Sequence, residues 1–368
     1  MSRLLDHLWY RPREGFAAKA LLWPLWLLSR LFAWIVRRRL RQWERPGRAC
    51  RVEARVVSVG NLVVGGAGKT PVTIHLARRL LAQGERPFVL SRGWGREHPS
   101  RIVVASDGRQ ILSNAREAGD EPLLIARACP GVPVIVGRDR AAAAQAAISE
   151  FGAKLFLLDD GLQHLRLARD LDVVVLDAGN PFGNGHFMPR GPLREPKQSL
   201  GRAGLVFLSK VEQATPDEVE ALEAEIRQFT QAPIVRAAYR VADVLDDEGR
   251  SLGVRALAGK KVLLMAGIAQ PASFRHTLGG LGAMIAGERL FADHHPFLPM
   301  EVEEVKLQAR RQGVDAIALT EKDAVRLPDS AAKGPFAVVR IELDVRAGEE
   351  GLTAALEGDH SAAAATRR

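Results

Sequence analysis

The sequence contains little cysteine, with only Cys50 and Cys129 in 368 residues. Two cysteines cannot form a disulfide framework, and their spacing matches no zinc or redox motif. We therefore expect a reducing compartment and two chemically inert thiols. Global disorder is also excluded, because 47% of the residues are hydrophobic and 26% are charged. This composition, together with the chain length, predicts two folded domains.

Most of the chain also lacks an excess of positive charge, although the net charge is +9. Of the 52 Lys and Arg and the 43 Asp and Glu, 13 and 4 lie in residues 1–55, so the remaining 39 of each sign cancel in residues 56–368. A nucleic-acid-binding protein would carry basic residues through its folded domains. The charge distribution therefore predicts no nucleic-acid partner, and no motif indicates an obligate protein partner.

The surplus charge accompanies an apolar segment, residues 16–43, which is rich in Trp, Leu and Phe. At 3.6 residues per turn, Arg30, Arg37 and Arg41 lie within roughly 40° of Lys19, which predicts an amphipathic helix with one narrow basic stripe. Such a helix is typical of a membrane interface. The alternatives are packing on the protein's own core and a membrane-spanning helix, which Lys19 and Arg30 make costly. We expect no cleavable signal peptide, because no small-residue cleavage site follows.

After residue 47 the pattern changes to short β-branched runs that alternate with helical segments, as in a parallel α/β sheet. The predicted strands are residues 56–59, 88–90, 102–105, 134–136, 155–158, 173–176 and 205–208, and then 262–266, 316–319 and 337–341 in a smaller α/β unit. The predicted helices are residues 71–83, 121–128, 140–151 and 216–229. The predicted organisation is a membrane-associating segment at 1–55, a phosphate-loop domain at 56–232, a smaller α/β domain at 233–345 and a disordered tail at 346–368.

The stretch GNLVVGGAGKTP, residues 60–71, matches a phosphate-binding loop (P-loop) in which Val63 replaces the first glycine of GxxxxGK[ST]. Such a loop needs backbone N–H groups around phosphate oxygens, a lysine for the terminal phosphates and a hydroxyl for Mg²⁺. A predicted strand precedes the stretch, and a proline suits the first turn of the helix that follows. Val63 lies at the strand exit, so we expect it to alter the entry turn more than the phosphate cradle. The predicted nucleotide-binding residues are Gly65, Gly66, Ala67, Gly68, Lys69, Thr70 and Pro71.

A P-loop enzyme also needs a carboxylate at the end of a neighbouring buried strand to hold Mg²⁺. The apolar run at residues 155–158 is followed directly by Asp159 and Asp160. The alternative, a simple Asp-Asp-Gly turn, does not require an apolar strand in front of it. The sequence therefore predicts that Asp159, and beside it Asp160, serves the metal together with Thr70.

Several other motifs are weak when taken singly. Asp120 opens a predicted helix, where an acidic residue is expected from the helix dipole alone. Asp293, His294 and His295 could belong to a zinc site or to a solvated turn, but adjacent histidines lack the spacing that places two ligands on one helix face. Arg92, Arg96, Arg138 and Arg140 follow strands, so they could bind phosphate or lie in surface turns. The loop at residues 180–196 has seven Gly or Pro in seventeen residues, and structureless loops of this length are usually functional or disordered.

Taken in order, these motifs resemble the tetraacyldisaccharide 4′-kinase family of lipid A biosynthesis. The resemblance is carried by residues 58–61, 65–71, 91–95, 119–122, 158–164, 191–196, 293–295 and 320–323. It runs from the N-terminal helix to about residue 345, and the Asp-Asp-Gly-Leu-Gln-His block at residues 159–164 is its most specific element. The phosphate loop of this family also lacks the first consensus glycine, so Val63 fits the family pattern.

The resemblance implies a P-loop kinase that uses ATP and Mg²⁺ to phosphorylate the 4′-hydroxyl of a tetraacylated glucosamine disaccharide 1-phosphate. It also implies peripheral association with the lipid surface on the cytoplasmic face of the bacterial inner membrane. A substrate held in the bilayer accounts for a neutral enzyme that carries its surplus charge on one apolar helix.

The resemblance further implies roles for individual residues. Asp120 would be the catalytic base, tuned by a histidine of the 293–295 turn, for which we prefer His294 over His295, and Lys69 would contact the transferred phosphate. Asp159 and Asp160 would serve Mg²⁺. The residues implied for substrate binding are Asn61, Arg92, Gln163, His164 and Arg194.

The alternative from another functional class is a P-loop GTPase or ATPase that acts as a regulatory switch or metallochaperone at the membrane. Residues 208–212, Leu-Ser-Lys-Val-Glu, follow a predicted strand and faintly resemble a guanine-reading N/T-K-x-D element. The Glu in place of the final Asp weakens this alternative.

Overall fold

The computed structural model describes Trp9, residues 22–43, Arg45 and residues 47–358. Its centre is one twelve-stranded sheet in the order β10-β9-β11-β12-β8-β7-β6-β1-β5-β2-β4-β3. Neighbouring strands pair in parallel except for two antiparallel pairs, β3 with β4 and β8 with β12. The predicted α/β class with a parallel-dominant sheet is thus confirmed. The two predicted domains share this sheet, because β7 pairs with β8 across their boundary.

The first part of the sheet contains the strands that the sequence predicted between residues 56 and 208. These strands are β1 (Arg55–Gly60), β2 (Pro87–Ser91), β3 (Val103–Asp107), β4 (Pro133–Val136), β5 (Leu155–Asp159), β6 (Leu171–Asp177) and β7 (Leu205–Ser209). The accompanying helices are α2 (Lys69–Ala82), α3 (Ala115–Ala118), α4 (Asp120–Ala128), α5 (Arg140–Phe151) and α6 (Pro216–Arg227), with 3-10 turns at Lys197–Arg202 and Val211–Gln213.

The second part contains β8 (Ile234–Leu245), β9 (Lys261–Ala266), β10 (Met284–Leu290), β11 (Ala316–Thr320) and β12 (Phe336–Ala347). Its helices are α7 (Pro271–Gly280), α8 (Pro299–Gln312), α9 (Glu321–Ala324) and α10 (Glu349–Glu357), with a 3-10 turn at Asp329–Ala331. The prediction omitted β8 and β10. Neither strand is a continuous apolar run, since β8 includes Arg236, Arg240 and Asp243, and the edge strand β10 is only partly buried.

The prediction of a disordered tail from residue 346 is wrong for the part of the tail that the structure describes. Strand β12 continues to Ala347, and helix α10 follows it. Leu352, Ala355 and Leu356 of α10 are buried in the core cluster that includes β1, α2 and β7. Burial of these apolar side chains stabilises a helix that the Ala- and Glu-rich sequence did not reveal. Residues 359–368 lie outside the described residues.

The amphipathic N-terminal segment forms helix α1 (Trp23–Trp43). Its buried face is narrow: Ser29 donates a hydrogen bond to the carbonyl of Phe187, and the ring of Phe32 lies 6.4 Å from that of Phe187. Most of the other side chains are exposed, including Trp23, Trp26, Leu27, Leu28, Leu31, Trp34 and Ile35. Among the described residues no helix is long and apolar enough to span a membrane. Lys19 of the predicted basic stripe lies outside the described residues.

Candidate active site

The P-loop follows β1 and leads directly into α2. Gly68 has a φ of 86°, and a Cβ atom there would lie 2.1 Å from the hydroxyl oxygen of Tyr239, so both the backbone conformation and the space require glycine. Helix α2 then begins at Lys69 and directs its unpaired backbone N–H groups toward the loop. The loop is held from β7, because the Ser209 hydroxyl donates to the carbonyl of Ala67 at 2.8 Å.

A cavity of about 1590 Å³ opens beside this loop. Its wall includes most of the predicted site residues: Gly65, Gly66, Gly68, Lys69, Thr70, Pro71, Arg92, Asp159, Asp160, Gln163, His164, Arg194 and His294. Strands of both predicted domains end at it, and its far side is formed by residues of β8, α7 and β12. The structure therefore brings together motifs that are separated by more than 200 positions in the sequence.

Asp120 contacts His294, which lines this cavity, although Asp120 itself is not one of the lining residues. Asp120 is the first residue of α4 and is only 6% exposed, and its Oδ2 atom lies 2.8 Å from Nδ1 of His294. Burial alone raises the pKa of Asp120, but the hydrogen bond from His294 and the charges of Lys322 and Arg326 outweigh it and lower this pKa below its ordinary value. Asp120 is thus an ionised carboxylate at neutral pH, which is the state that a general base requires.

The neighbouring His295 is directed elsewhere. Its Nε2 atom lies 2.8 Å from Oε2 of Glu301, and its ring stacks on Phe291 with 5.0 Å between centroids. This geometry supports the preference for His294 over His295 as the partner of Asp120. His294 itself has a φ of 59°, an uncommon left-handed conformation, which turns its ring away from that of its neighbour.

The backbone on both sides of the Asp120–His294 pair is closely packed. Gly119 has a φ of 94°, and a Cβ atom there would lie 3.1 Å from Cα of Gly93 and from the carbonyl oxygen of Trp94. On the other side, the buried Arg326 donates to the carbonyls of Gly267 and His295 and to the carboxylate of Asp323. These contacts hold the 293–295 turn against α4.

Lys322 completes this cluster from the far side of the imidazole ring. Its Nζ atom lies 3.2 Å from Nε2 of His294, 3.4 Å from Oδ1 of Asp293 and 3.8 Å from Oε1 of Glu121. No role for Lys322 or Arg326 was predicted from the sequence. The feature that could have identified them is their position just after a buried strand, within and directly after the Thr-Glu-Lys-Asp motif at residues 320–323.

Asp159 and Asp160 have different surroundings, although they are adjacent. Asp159 is buried at the end of β5 and accepts a hydrogen bond from the Thr73 hydroxyl, and burial together with the charges of Glu121 and Asp160 raises its pKa to about 7. Asp160 has a φ of 50° and faces Lys69 at 3.7 Å and Arg194 at 3.0 Å. Burial alone would raise its pKa, but these cations lower it to about 2.

Among the described residues no cluster of three or more His, Cys, Asp or Glu side chains forms a metal site. Mg²⁺ at a kinase site is usually held by one or two carboxylates and by substrate phosphates rather than by an all-protein cage. Thr70 and Asp159 offer the oxygen donors that this ion takes, next to a P-loop. Concentrated negative charge around Asp159 also favours a cation there, so the residues present fit Mg²⁺. Asp160 already pairs with two cationic side chains, which leaves its predicted metal role less well supported than that of Asp159.

The remaining predicted substrate residues form a connected group. Arg194 donates from Nη1 to both carboxylate oxygens of Asp160 at 3.0 Å, and the same atom lies 3.4 Å from Oε1 of Gln163. Gln163 also accepts a hydrogen bond at its carbonyl from Arg39 of α1. Burial and the charge of Arg140 lower the pKa of His164 to about 4, so this imidazole is neutral at pH 7. Arg92 is exposed on the cavity wall.

Besides Asp120, two predicted residues are not on the cavity wall. Asn61 is 0% exposed, and its side-chain amide has no hydrogen-bond partner among the described residues, while its carbonyl accepts from Gln163. In this conformation Asn61 cannot contact a substrate and instead supports Gln163. The side chain of Ala67 is also buried, so this residue takes part in the loop through its backbone.

Lys210 is a further residue at the P-loop whose role the sequence analysis did not recognise. Its Nζ atom donates to Asp177 at 2.5 Å, to the carbonyl of Gly66 at 2.9 Å and to Gln270 at 3.1 Å. It therefore connects the phosphate loop to the second part of the sheet. Residues 208–212, which faintly resembled a guanine-reading element, thus have a structural role, because the three donors of the Lys210 ammonium group have protein partners.

The chain is similar to known proteins over nearly its whole length. A family model for the tetraacyldisaccharide-1-P 4′-kinase, LpxK, matches residues 21–360. The tetraacyldisaccharide 4′-kinase of Anaeromyxobacter sp. (strain Fw109-5) is 46% identical over 96% of both chains. That of Anaeromyxobacter dehalogenans (strain 2CP-1) is 45% identical over 96% of this chain and 94% of the relative.

A solved structure is also similar. LpxK from Aquifex aeolicus, determined in complex with ATP, superimposes with a TM-score of 0.73 and 27% identity, covering 92% of this chain and 98% of that one. The two folds agree over most of the length of both chains. This chain belongs to the tetraacyldisaccharide-1-P 4′-kinase family.

Proposed function

We propose that this protein transfers the γ-phosphoryl group of ATP to the 4′-hydroxyl of tetraacyldisaccharide 1-phosphate, the reaction named for its family, in lipid A synthesis. The observation that carries the proposal within the structure is the ionised Asp120, whose hydrogen-bond partner His294 lines the same cavity as the P-loop. Phosphoryl transfer to an alcohol requires positioning, charge neutralisation and an acceptor for the alcohol proton. The cavity offers residues for all three.

Asp120 takes the role of general base. Its carboxylate accepts the proton of the 4′-hydroxyl as that oxygen attacks phosphorus, while the hydrogen bond from His294 keeps the carboxylate oriented. The low pKa of Asp120 keeps it available at neutral pH. The weak basicity of this carboxylate costs little rate, because the phosphoryl-transfer transition state is loose and catalysis depends mainly on positioning and charge stabilisation.

The P-loop binds the triphosphate. Backbone N–H groups at Gly65, Gly66, Gly68 and the start of α2 surround the phosphates, and Lys69 neutralises the charge on the transferred group. Thr70 and Asp159 would hold Mg²⁺, and this ion, when bound, neutralises charge on the phosphate oxygens. The 3.7 Å pair of Lys69 with Asp160 sets the lysine near the place where the γ-phosphate belongs.

The acceptor lipid carries its own phosphate, and the cavity wall holds several cationic and hydrogen-bonding groups to bind it. Arg92, Gln163, His164 and Arg194 are the residues we assign to this role, as the family resemblance implies. Because Arg194 already pairs with Asp160, it can couple lipid binding to the carboxylate that faces Lys69.

We further propose that α1 attaches the enzyme to the cytoplasmic face of the inner membrane. It exposes several large Trp and Leu side chains, with Arg30 over the ring of Trp26 and with Arg37, Arg38 and Arg41 in the following turns. Large exposed apolar patches mark interaction sites. A Trp-rich, arginine-flanked helix suits an anionic lipid interface. Arg39 connects this helix to Gln163, so membrane attachment would place the cavity near the lipid substrate.

The function is tested by a lipid-kinase assay with full-length protein, labelled ATP and the tetraacylated disaccharide 1-phosphate in detergent micelles. We expect ATP- and Mg²⁺-dependent labelling of the disaccharide at its 4′ position. Slow hydrolysis of GTP in preference to ATP, without lipid labelling, would instead indicate the regulatory switch.

The membrane role is tested with Leu31→Glu, which places a charge in the exposed apolar surface of α1. We expect weaker sedimentation with vesicles that contain anionic lipid and near-normal activity on a water-dispersed lipid. Leu307→Glu is the control, because Leu307 is comparably exposed on α8. Point variants are sharper than deletion of residues 1–45, because deletion also removes the contacts of Ser29 and Arg39 with the catalytic region. Equal vesicle binding by both variants would refute the membrane role.

A further inference from the structure

His294 has polar neighbours at both ring nitrogens, and they differ in kind. Nδ1 faces the carboxylate of Asp120 at 2.8 Å, and Nε2 faces the ammonium group of Lys322 at 3.2 Å. The nearest other charged atom to Nε2 is Oδ2 of Asp293 at 3.7 Å, which is beyond hydrogen-bond distance. Each nitrogen of the ring therefore has one hydrogen-bonding partner of defined character.

A lysine ammonium group has three donors and no acceptor, whereas an ionised carboxylate only accepts. Nε2 must then be the acceptor of a hydrogen bond from Lys322, and the ring proton must lie on Nδ1, where it is donated to Asp120. The hydrogen bond made by one ring nitrogen therefore determines which nitrogen of the imidazole carries the proton.

We propose that Lys322 is a positioning residue that holds His294 in the Nδ1–H tautomer, so that His294 donates to Asp120 and cannot take a proton from it. This inference rests on the proposed kinase function for its catalytic consequence. In this arrangement Asp120 alone accepts the proton of the 4′-hydroxyl, because the lone pair on Nε2 of His294 already accepts a hydrogen bond from Lys322. His294 acts as an orienting donor and not as a proton relay.

The position of Lys322 suits this role. It lies in the first turn of α9, directly after β11, and the adjacent Asp323 is fully buried and accepts from the Thr320 hydroxyl, the backbone N–H of Gly267 and Arg326. That network fixes the backbone from which Lys322 extends. Arg326, at 3.7 Å from Oδ2 of Asp120, is the other cation facing the carboxylate, and Glu121 and Asp293 are the acidic groups facing Lys322.

Removing Lys322 frees Nε2 to accept a proton from solvent. A second proton on the ring converts the imidazole to an imidazolium, in which both nitrogens are donors. An imidazolium donates a stronger hydrogen bond to Asp120 and makes the carboxylate a poorer base. Loss of the lysine charge also raises the pKa of Asp120, since Lys322 is one of the cations that lower it. Both effects move the loss of activity to higher pH.

The test compares Lys322→Met, Lys322→Arg and wild type in the full-length protein, with kcat and KM for ATP measured between pH 5.5 and pH 8.5. For Lys322→Met we expect the acid limb of kcat to move upward by about one pH unit, with KM for ATP changed less than about twofold. Lys322→Arg retains a cationic donor and should keep the acid limb of the wild type. The control is Lys333→Met, since Lys333 is 85% exposed and contacts only Glu248 at the surface among the described residues.

A double substitution separates this role from a direct contact with substrate. In a His294→Gln background, Lys322→Met should cause little further loss of kcat at pH 8.5, because its effect through the imidazole is absent there. The direct effect of the lysine charge on the pKa of Asp120 remains in both backgrounds and moves only the acid limb. An equal loss of kcat in both backgrounds, or an acid limb that does not move, would overturn the proposal.

The tautomer is also measured directly from the ¹⁵N shifts of histidine side chains in labelled full-length protein, with the His294 signals assigned by comparison with His294→Gln. We expect the neutral Nδ1–H form at pH 7.5 in wild type. An Nε2–H tautomer or an imidazolium would overturn the inference. If the wild type fails to phosphorylate the lipid, the proposed function fails, whereas this spectrum still decides the tautomer.

Discussion

His294 and Asp120 are 174 residues apart in the chain, yet Nδ1 of the histidine lies 2.8 Å from Oδ2 of the aspartate. The contact joins the start of α4 to a turn between β10 and α8. Because Asp120 is almost fully buried and still has a lowered pKa, its ionised form depends on groups supplied by the second part of the sheet. The general base is therefore assembled by the tertiary fold.

Asp120→Asn removes the proton acceptor and keeps the side-chain volume. We expect kcat to fall by about 10²- to 10⁴-fold, the usual contribution of a general base, with ATP binding largely retained. Steady-state kinetics and ATP titration of the same preparation measure the two effects. Asp217→Asn, at an exposed position in α6, is the control. Turnover near the wild-type level would reassign the base.

Lys69→Ala removes the cation that faces Asp160 at the end of the P-loop. Phosphoryl transfer should be abolished within the limit of the assay, because no other side chain replaces this charge at the start of α2. Vesicle sedimentation should be unchanged, since Lys69 lies in the cavity and not on α1. Lys260→Ala, at an exposed site before β9, is the control. Retained turnover would mean that this loop is not the ATP site.

Gly119→Ala tests whether the position of the base depends on close backbone packing. The added methyl group would lie 3.1 Å from Gly93 and Trp94, and the φ of 94° is unfavourable for alanine. We expect a drop in kcat of at least about tenfold because Asp120 is displaced, as in other cases where a misplaced catalytic group costs 10²-fold.

Gly152→Ala is the matched control for this backbone test. Gly152 also has a positive φ, of 63°, but a Cβ atom there meets nothing within 4 Å. That variant should lose some thermal stability and keep its activity. Equal activities of the two variants would show that the packing at Gly119 does not position Asp120.

The buried His164 predicts a pH dependence of stability. Its pKa in the folded protein is about 4, below the ordinary value of 6.5, so the unfolded chain binds more protons between these two pH values. Stability contributed by this group is complete above about pH 6.5 and decreases as the pH falls toward 4. The melting temperature of wild type should therefore fall more steeply between pH 7 and pH 5 than that of His164→Gln. Equal changes in melting temperature would contradict the lowered pKa of His164.

The two cysteines should differ sharply in reactivity. Cys50 is exposed, whereas Cys129 is buried and its burial raises the pKa of the thiol to about 11. A disulfide reagent at pH 8 should modify one thiol rapidly in the folded protein and the second only after denaturation. Cys50→Ser should abolish the fast phase. Rapid modification of two thiols in native wild type would show that Cys129 is accessible.

Local sequence patterns were sufficient to predict the strands in the first part of the sheet. Runs such as residues 155–158 and 205–208 are buried on both faces, so they are continuously apolar and easily recognised. Strand β8 was not predicted, because its polar residues and its antiparallel pairing with β12 depend on partners distant in sequence. Helix α10 was assigned to a disordered tail, because the helix is stabilised by packing of its three buried side chains against the core, and this packing cannot be read from the local sequence.

The sequence by itself determined the family, the class of fold and the chemical types of the site residues. The P-loop, the paired aspartates and the 293–295 turn are short motifs whose residue types are required by phosphate, metal and proton chemistry. Only the tertiary structure placed His294 and not His295 against Asp120, buried Asn61 away from the cavity, and brought Lys322 and Arg326 close to the Asp120–His294 pair. The physical reason is that orientation, burial and local charge arise from contacts between distant segments, and no local pattern in the chain encodes them.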